Sequence, residues 1–456
     1  MKKIYVKTMG CQMNVYDSQR IVDLMKAFGY EETTQMEQAD LMVLNTCHIR
    51  EKATDKVYSE LGRFREIKEK RLEKYKAPTR IVVTGCVVQA AGEEMLKKLS
   101  FVDAVLGPQR YHLLPQVLAE REKGRRPKIQ ADFSADEKFD ALAPAQAHGA
   151  RCFLAVQEGC DKFCSYCVVP YTRGSEYSRP IKDILEEAKL LLQSGAKDIT
   201  LLGQNVNAFH GEDKNGKERD LGYLIRKLAE LDGLKRMSYV TSYPSQMTDD
   251  LISAHQEVPQ LIPYLHLPIQ SGSDKILKAM NRRYTTRLYE EVVEKLREKR
   301  PDIAMSSDFI VGFPEETDED FEQTMRLVQK IGYTSAFSFK YSRRPGTPAS
   351  VMRGQVPEKT KTERLLRLQE LILSLQKKAN EAMIGKTTEI LLTERGKKKG
   401  QLTGYSPYMQ NVHVEAPEEL LGSFICVKIK EATATSLTAE RAGSAPLRSS
   451  DDKKKG

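Results

Sequence analysis

Three cysteines lie close together near the middle of the chain with the spacing Cys-x3-Cys-x2-Cys: Cys160, Cys164 and Cys167. A tetrahedral zinc site uses four protein ligands and usually shows them as two pairs. Three thiolates on one short loop leave a coordination position open, and a cubane iron–sulfur cluster held in this way keeps one iron available for another ligand. The spacing therefore favours a [4Fe-4S] cluster with one open iron over an incomplete zinc site or a group of buried thiols.

Three further cysteines, Cys11, Cys47 and Cys86, each stand just after a short apolar run typical of a β-strand. In a parallel sheet the loops after the carboxyl ends of the strands gather at one edge, where ligands bind. Gly10 and Gly85 stand beside two of these cysteines and allow the backbone to approach a cluster closely. One cysteine at such a place is ordinarily a small buried apolar residue. Three in equivalent positions predict a second metal or cluster site.

Residues 1–146 alternate between β-rich apolar runs and helical patterns. This alternation predicts an open parallel α/β sheet with helices on its faces. The predicted strands cover residues 4–7, 41–44, 81–83 and 104–106, and the predicted helices cover residues 17–28, 54–75 and 92–99. The scattered cysteines thereby fall at the ends of three predicted strands.

Residues 147–380 contain six further strand–helix repeats, which predict a partial or full β/α barrel, taken here as a partial (β/α)6 barrel. The predicted strands cover residues 152–157, 199–202, 237–240, 264–267, 304–311 and 335–339, and the predicted helices cover residues 181–192, 221–231, 248–254, 289–299 and 318–331. A barrel builds its active site from the loops after its strands. The polar side chains that we expect there to bind a cofactor are Gln204, Asn205, His266, Gln270 and Ser271. His266 fits a hydrogen-bonded structural role equally well.

The chain changes character after residue 359. Residues 363–383 have the leucine and charge pattern of a long amphipathic helix. Residues 381–443 contain β-like runs at 388–392, 400–405, 410–414 and 424–429, which predict a small all-β barrel, and residues 444–456 predict a disordered tail. Such barrels bind nucleic acid through basic grooves with aromatic platforms. The candidates for this role are Lys397, Lys398, Lys399, Tyr405 and Tyr408, and the alternative is a solvated turn with two core tyrosines.

The chain has 456 residues and a formal net charge of +9, and 30% of its residues are charged. The excess of Lys and Arg favours an anionic partner such as nucleic acid. The sequence lacks an apolar run of the ~20 residues that span a bilayer, and its start does not resemble a signal peptide. We therefore expect a cytoplasmic protein, not associated with membranes, whose cysteines serve metals or catalysis rather than disulfides. Cys152 and Cys426 lie in apolar strand patterns and are predicted core residues.

Together these features resemble the radical S-adenosylmethionine (SAM) methylthiotransferases along nearly the whole chain. Members of that family carry an N-terminal domain with three cluster-binding cysteines, a radical-SAM barrel and a C-terminal β-barrel called TRAM. The six cysteines described above match the two sets in order. Segments 45–53, 277–285 and 341–347 look like the MiaB branch rather than the RimO branch, which acts on a ribosomal protein. His48 departs from the more usual Ser or Gly at its position.

The resemblance implies a tRNA modification, the addition of a methylthio group to C2 of N6-isopentenyladenosine at position 37, just 3′ of the anticodon. It implies two [4Fe-4S] clusters, with SAM bound at the open iron of the barrel cluster and an auxiliary cluster on Cys11, Cys47 and Cys86. The C–H at C2 is not acidic enough for a protein base, so cofactors carry the chemistry and we expect no catalytic side chain. The implied partners are the tRNA anticodon stem-loop, an electron donor such as flavodoxin or ferredoxin, and a sulfur donor, and we expect a monomer.

We expect Tyr166, directly before Cys167, to touch the adenine of SAM. The alternative is that Tyr166 is a packing aromatic. The arginines that we consider for RNA phosphate or the SAM carboxylate are Arg173, Arg179, Arg282, Arg343 and Arg344. Two other activities remain open: methylthiolation of a ribosomal protein, or of threonylcarbamoyladenosine in tRNA. A more distant alternative is a non-enzymatic iron–sulfur or zinc protein that binds RNA.

Overall fold

The computed structural model describes residues 1–47, 53–75, 78–124 and 129–442. Residues 48–52, which include His48 and most of the MiaB-like segment 45–53, lie outside the described residues. The predicted tail, residues 444–456, also lies outside them. Within the described helices, the longest apolar stretches are too short to cross a membrane.

The N-terminal domain is a parallel sheet with the strand order β2-β1-β3-β4-β5-β6 in the described part of the chain. Its strands are β1 (Lys2–Thr8), β2 (Tyr30–Glu32), β3 (Leu41–Thr46), β4 (Arg80–Gly85), β5 (Ala104–Leu106) and β6 (Ile129–Gln130). Its helices are α1 (Gln12–Ala27), α2 (Ala53–Tyr75), α3 (Cys86–Lys98), α4 (Leu114–Glu122) and α5 (Ala135–Asp140). Every residue of β3 is buried, as expected where helices cover both faces of a parallel sheet.

The central domain contains six parallel strands in two ladders, β7-β10-β13 and β14-β15-β16, within the described residues. An isolated parallel bridge between Met237 and Leu261 connects the two ladders. Its strands are β7 (Arg151–Ala155), β8 (Gln157–Glu158), β9 (Tyr177–Ser178), β10 (Asp198–Leu202), β11 (Gly211–Glu212), β12 (Glu218–Arg219), β13 (Arg236–Tyr239), β14 (Tyr264–His266), β15 (Ala304–Val311) and β16 (Ser335–Lys340). The arrangement agrees with the predicted partial β/α barrel.

The helices of this domain are α6 (Val169–Arg173), α7 (Ile181–Gln193), α8 (Leu221–Ala229), α9 (Asp249–Glu257), α10 (Asp274–Ala279), α11 (Thr286–Lys299) and α12 (Asp318–Ile331). Local sequence explains where several of them begin, because a Ser, Thr or Asp side chain accepts a hydrogen bond from the first turn. These capping residues are Asp220, Thr248, Ser273, Thr285 and Thr317.

The C-terminal part consists of α13 (Glu358–Glu381) followed by a closed barrel with the order β17-β18-β19-β21-β20. Its strands are β17 (Thr387–Arg395), β18 (Gln401–Tyr405), β19 (Asn411–Glu415), β20 (Phe424–Ala432) and β21 (Leu437–Arg441). The predicted all-β barrel is therefore confirmed, although the sequence did not predict β21.

The small barrel packs against the amino ends of the central strands. Arg236, the first residue of β13, donates a hydrogen bond from Nη1 to the carbonyl oxygen of Tyr405 at 3.0 Å. Lys197, directly before β10, donates from Nζ to the carbonyl oxygen of Gly422 at 2.8 Å. The cysteine loop of the central domain follows the carboxyl end of its first strand, so the small barrel lies at the other end of these strands.

We expect Arg236→Ala to weaken the attachment of the small barrel. Arg236 is buried, donates to the carbonyl oxygens of Tyr405 and Glu389, and places its guanidinium 4.8 Å from the ring centroid of Phe424. Loss of these contacts should lower the free energy of unfolding by about 2–4 kcal/mol in urea titrations. The exposed Arg287, in a surface ion pair, is the matched control and should cost about 0.5 kcal/mol or less as Ala. Equal losses for the two variants would contradict this attachment.

Candidate cluster and cofactor site

The barrel cysteines, as we call Cys160, Cys164 and Cys167, lie on the loop between β8 and α6. The loop enters through Gly159, whose φ of +80° favours glycine, and a Cβ there would lie 1.8 Å from the carbonyl oxygen of Ser175. The Cys160 amide donates to the carbonyl oxygen of Gly174 at 3.1 Å. The loop is therefore closed on itself at its base, and its tight path depends on Gly159.

The surroundings of the barrel cysteines suit a metal cluster. Burial raises the pKa of Cys160 to about 11 and that of Cys167 to about 12, and the neighbouring Cys164 acts in the same direction on both. These thiols therefore stay protonated at neutral pH unless a cation binds them. A bound metal supplies that positive charge and deprotonates its thiol ligands.

Arg282, which we considered as an RNA ligand, is buried beside the cysteine loop. Its Nη1 donates to Sγ of Cys164 at 3.5 Å, Nη2 donates to the carbonyl oxygen of Pro268 at 2.7 Å, and Nε donates to the hydroxyl of Tyr284 at 2.5 Å. Only 9% of Arg282 is exposed, so its guanidinium is not available to a phosphate. The predicted RNA-binding role does not fit this position, and Arg282 instead supports a barrel cysteine.

We expect Arg282→Met to destabilise the protein and its cysteine loop together. The variant removes donors to Pro268, Tyr284 and Cys164, which should cost about 3 kcal/mol in the free energy of unfolding of the metal-free protein. Iron retained after anaerobic reconstitution should also fall. Arg283, next in the chain and exposed, is the control, and Arg283→Met should change neither quantity. Iron content equal to the wild type in Arg282→Met would contradict the supporting role.

The N-terminal cysteines, as we call Cys11, Cys47 and Cys86, meet at one edge of the first sheet. Cys11 directly precedes α1, Cys47 follows β3, and Cys86 is the first residue of α3. A Cβ on Gly10 would lie 2.5 Å from Cβ of Cys47, and a Cβ on Gly85 would lie 2.1 Å from the carbonyl oxygen of Thr46. Both glycines have positive φ and let the three loops approach one another, whereas their predicted approach to a cluster stays a prediction.

A buried arginine lies beside the N-terminal cysteines. Burial raises the pKa of the Cys86 thiol, and the nearby positive charge of the Arg173 guanidinium acts in the opposite direction. Arg173 also interacts electrostatically with Cys11. Arg173 is 2% exposed, so the predicted contact with phosphate does not fit its position. Its positive charge instead suits an anionic thiolate cluster.

Two observations bear on how a cluster fits the two cysteine groups. None of the eight cysteines, all of which lie in the described residues, is in a disulfide bond. Among the described residues, groups of three His, Cys, Asp or Glu side chains do not stand close enough to hold one metal ion together. A four-iron cluster takes each thiolate on a different iron, so its ligands stand further apart than those of one ion. Three thiols are a fitting ligand set for such a cluster. The glycines leave room for it, and the nearby guanidinium suits its negative charge.

Two predicted SAM-binding residues, in the loop after β10, lie next to the cysteine loop. Gln204 accepts a hydrogen bond from the Gly159 amide at 2.5 Å, which connects the end of β10 to this loop. The Asn205 amide donates to Oε1 of Gln157 at 3.0 Å. Nε2 of Gln157 and Oδ1 of Asn205 are buried without a hydrogen-bond partner among the described residues. These two unpartnered polar atoms therefore lie at or next to a predicted SAM-binding residue.

The other predicted cofactor residues have mixed surroundings. Tyr166 is partly exposed and packs edge-on against Phe313, with ring centroids 6.5 Å apart. Nδ1 of His266 lies 3.0 Å from Oγ of Ser306, on the strand next to β14. Gln270 is nearly buried, with a φ of +79°. Ser271 is fully buried near α12, and its hydroxyl already has hydrogen-bond partners in Thr324 and the Ser273 amide, unlike the unpartnered atoms of Gln157 and Asn205.

The remaining arginines and the lysines divide into two groups. Arg179 is buried and pairs with Glu187 at 2.7 Å, so it does not fit the predicted contact with phosphate either. Arg343 is exposed and Arg344 half-buried, just after the carboxyl end of β16. The exposed lysines in the turn between β17 and β18 are Lys397, Lys398 and Lys399. For the two arginines after β16 and the three lysines of this turn, the RNA-binding role stays a prediction.

Tyrosines of the small barrel do not stand free as base-stacking platforms. The ring of Tyr405 lies 5.0 Å from the guanidinium of Arg151, at the start of β7. The Tyr408 hydroxyl donates to Asp302 at 3.3 Å. Both tyrosines therefore contribute to the contact between the small barrel and the central domain.

Models of known families match three segments of the chain. Residues 3–107 match the uncharacterized protein family UPF0004, residues 154–328 match the radical SAM superfamily, and residues 381–441 match the TRAM domain. These three domains in this order are the signature of MiaB-type methylthiotransferases. The chain has the domain architecture of the MiaB-type radical-SAM methylthiotransferases. As radical SAM enzymes, methylthiotransferases use a [4Fe-4S] cluster and SAM.

Two solved structures of other radical SAM enzymes are similar to this chain. The radical SAM methyltransferase TsrM from Kitasatospora setae matches with a TM-score of 0.58 and 13% identity, over 77% of this chain and 74% of that chain. The cobalamin-dependent SAM radical enzyme OxsB matches with a TM-score of 0.51 and 11% identity, over 82% of this chain and 56% of that chain. At these identities the matches establish a shared fold.

Proposed function

We propose that this methylthiotransferase adds a methylthio group to C2 of N6-isopentenyladenosine at position 37 of tRNA. The observation that carries the proposal is the presence of two separate three-cysteine groups, one on the loop between β8 and α6 and one at the edge of the first sheet. Production of a radical from SAM requires one cluster, so the second group calls for a further task. Insertion of sulfur, with an auxiliary cluster on the N-terminal cysteines, is a task of that kind.

A [4Fe-4S] cluster with bound SAM supplies a carbon-centred radical, which can act at an aromatic C–H that a protein base could not deprotonate. The chain's own residues bind and orient the two clusters and SAM. The barrel cysteines hold the first cluster, and the N-terminal cysteines hold the auxiliary cluster. Gln157 and Asn205 offer SAM the two buried polar atoms that lack partners in the described residues.

Several features support RNA as the substrate. The TRAM domain is associated with RNA binding, and its turn of three consecutive lysines is exposed. Arg343 and Arg344 add positive charge after β16, at the end of the strands where the cysteine loop begins. The MiaB-like segments 277–285 and 341–347 favour isopentenyladenosine over threonylcarbamoyladenosine or a ribosomal protein. We infer a cytoplasmic monomer that also needs an electron donor, such as flavodoxin or ferredoxin, and a sulfur donor.

Nucleoside mass spectrometry of tRNA tests this assignment. A strain lacking the gene should lose 2-methylthio-N6-isopentenyladenosine and accumulate N6-isopentenyladenosine, and the wild-type gene should reverse both changes. Loss of the methylthio form of threonylcarbamoyladenosine, or of a methylthiolated ribosomal protein, with isopentenyladenosine products unchanged would contradict it.

A further inference from the structure

Four buried charged side chains form a closed ring, which we call the ion ring: Asp17, Lys138, Glu158 and Arg173. Arg173 donates to Asp17 at 2.8 Å and to Glu158 at 2.9 Å. Lys138 donates to the same two carboxylates, to Asp17 at 2.9 Å and to Glu158 at 2.5 Å. All four residues are at most 2% exposed. Two cations and two carboxylates balance, so the ring as a whole is neutral.

The ion ring connects the two cysteine groups. Asp17 lies on α1, the helix that Cys11 precedes, whereas Glu158 ends β8, two residues before Cys160. Arg173 ends α6, the helix after the barrel cysteines. Because the guanidinium of Arg173 also lies close enough to the Cys86 thiol to oppose the rise in pKa that burial causes there, one guanidinium stands between an N-terminal cysteine and the carboxylate at the base of the barrel cysteine loop.

Stability does not account for this arrangement. Burying charged groups costs desolvation energy, and well-packed apolar residues in place of a buried ion pair are often neutral or stabilising. The choice of an arginine is informative, because its planar fork carries five N–H donors. At Arg173 these donors serve two carboxylates on different elements, and the guanidinium also lies beside the Cys86 thiol.

We propose that Arg173 is a positioning residue that sets the reduction potential of an auxiliary cluster on the N-terminal cysteines. The inference rests on the proposed function, because it requires that second cluster. Hydrogen bonds to cluster sulfurs and nearby charge set the potentials of iron–sulfur clusters. A guanidinium at Cys86 favours the more negative, reduced state of the cluster and so raises its potential. Asp17, held against the same guanidinium, has the opposite effect.

A pair of variants with opposite expected signs tests the inference. We would reconstitute full-length protein anaerobically and measure iron content and the midpoint potentials of both clusters by EPR-monitored titration. In Arg173→Met the equilibrium constant for one-electron reduction of the auxiliary cluster should fall about tenfold, which is about 59 mV. In Asp17→Asn the potential of the same cluster should rise. The cluster on the barrel cysteines should shift less in both variants.

The matched control is Arg364, another buried arginine, which donates to Glu316 at 2.7 Å and to Asp318 at 2.8 Å. Arg364→Met removes a buried cation that bridges two carboxylates far from either cysteine group in sequence, and should leave both potentials unchanged. Shifts of the same sign in Arg173→Met and Asp17→Asn, or no shift in either, would overturn the inference.

Two features keep the test decisive. If Arg173→Met does not fold, Asp17→Asn and Arg173→Lys give the answer. Asp17→Asn should raise the potential of the auxiliary cluster. Arg173→Lys keeps the charge, so it should lower this potential by a smaller amount than Asp17→Asn raises it. If the wild-type protein itself holds about four irons and one cluster signal instead of about eight irons and two signals, the proposed function fails. The inference fails in a different way: the protein then holds two clusters, but their midpoint potentials do not change in the variants of the ion ring.

Discussion

Cys86→Ser should abolish the methylthio product but leave SAM cleavage intact, whereas Cys164→Ser should abolish both. Cys164 belongs to the loop that would hold the SAM-binding cluster, while Cys86 lies on the first sheet with the N-terminal cysteines. Loss of a ligand should lower the dependent activity more than about 100-fold, because changes outside the ligand set already cost 10- to 100-fold. Mass spectrometry of 5′-deoxyadenosine and of the modified nucleoside measures the two activities separately.

Cys152→Ser is the matched control for both cysteine variants. Cys152 is buried in the core of the central domain, and its Sγ donates to the carbonyl oxygen of Gly149 at 3.3 Å, a bond that a serine hydroxyl can keep. Both activities should therefore survive in Cys152→Ser. The assignment of different roles to the barrel cysteines and the N-terminal cysteines would be wrong if Cys86→Ser lost 5′-deoxyadenosine formation as completely as Cys164→Ser.

Gly159→Ala should be among the most damaging single substitutions in the chain. The added Cβ would lie 1.8 Å from the carbonyl oxygen of Ser175 and 2.7 Å from that of Gly174, and both are backbone atoms that cannot rotate away. The positive φ adds strain for any L side chain. We expect the free energy of unfolding to fall by about 3–5 kcal/mol, since overpacking adds to the backbone strain. Iron bound at the barrel cysteines should be lost, which iron analysis and EPR would measure.

Gly29→Ala separates the two causes. Gly29 has a φ of +79°, nearly that of Gly159, but a Cβ there would meet nothing within 4 Å. Its substitution should cost about 1–2 kcal/mol from backbone strain and leave iron content unchanged. If Gly159→Ala were no more damaging than Gly29→Ala, the close contact at the base of the cysteine loop would not be important.

The elements that sequence reasoning predicted best are long and strongly patterned. The predicted strand at residues 304–311 and the predicted helix at residues 318–331 have the bounds of β15 and α12. The strands that it missed, such as β2 with three residues and β6 with two, are too short to show a pattern. Both exist because a neighbouring strand offers them a ladder, which is information from distant residues.

The cysteines and the charged residues of the site differed in how well the sequence predicted them. The cysteines stand at strand ends, and parallel topology brings those ends together. The burial of Arg173 and Arg282 was not predictable, because their partners are remote in sequence. Arg173 and Asp17 are 156 residues apart, and Arg282 and Cys164 are 118 apart. One local signal was available, since Glu158 is a charged residue at the end of an apolar run, directly before Gly159.

The most direct test of the central claim is a reaction of the reconstituted protein with an anticodon stem-loop that carries N6-isopentenyladenosine. With a reductant, a sulfide source and SAM labelled with deuterium in its methyl group, mass spectrometry should find a methylthio group at C2 that contains the labelled methyl. The same RNA without the isopentenyl group should react poorly. Absence of this product, together with methylthiolation of threonylcarbamoyladenosine RNA or of a ribosomal protein under the same conditions, would contradict the proposed function.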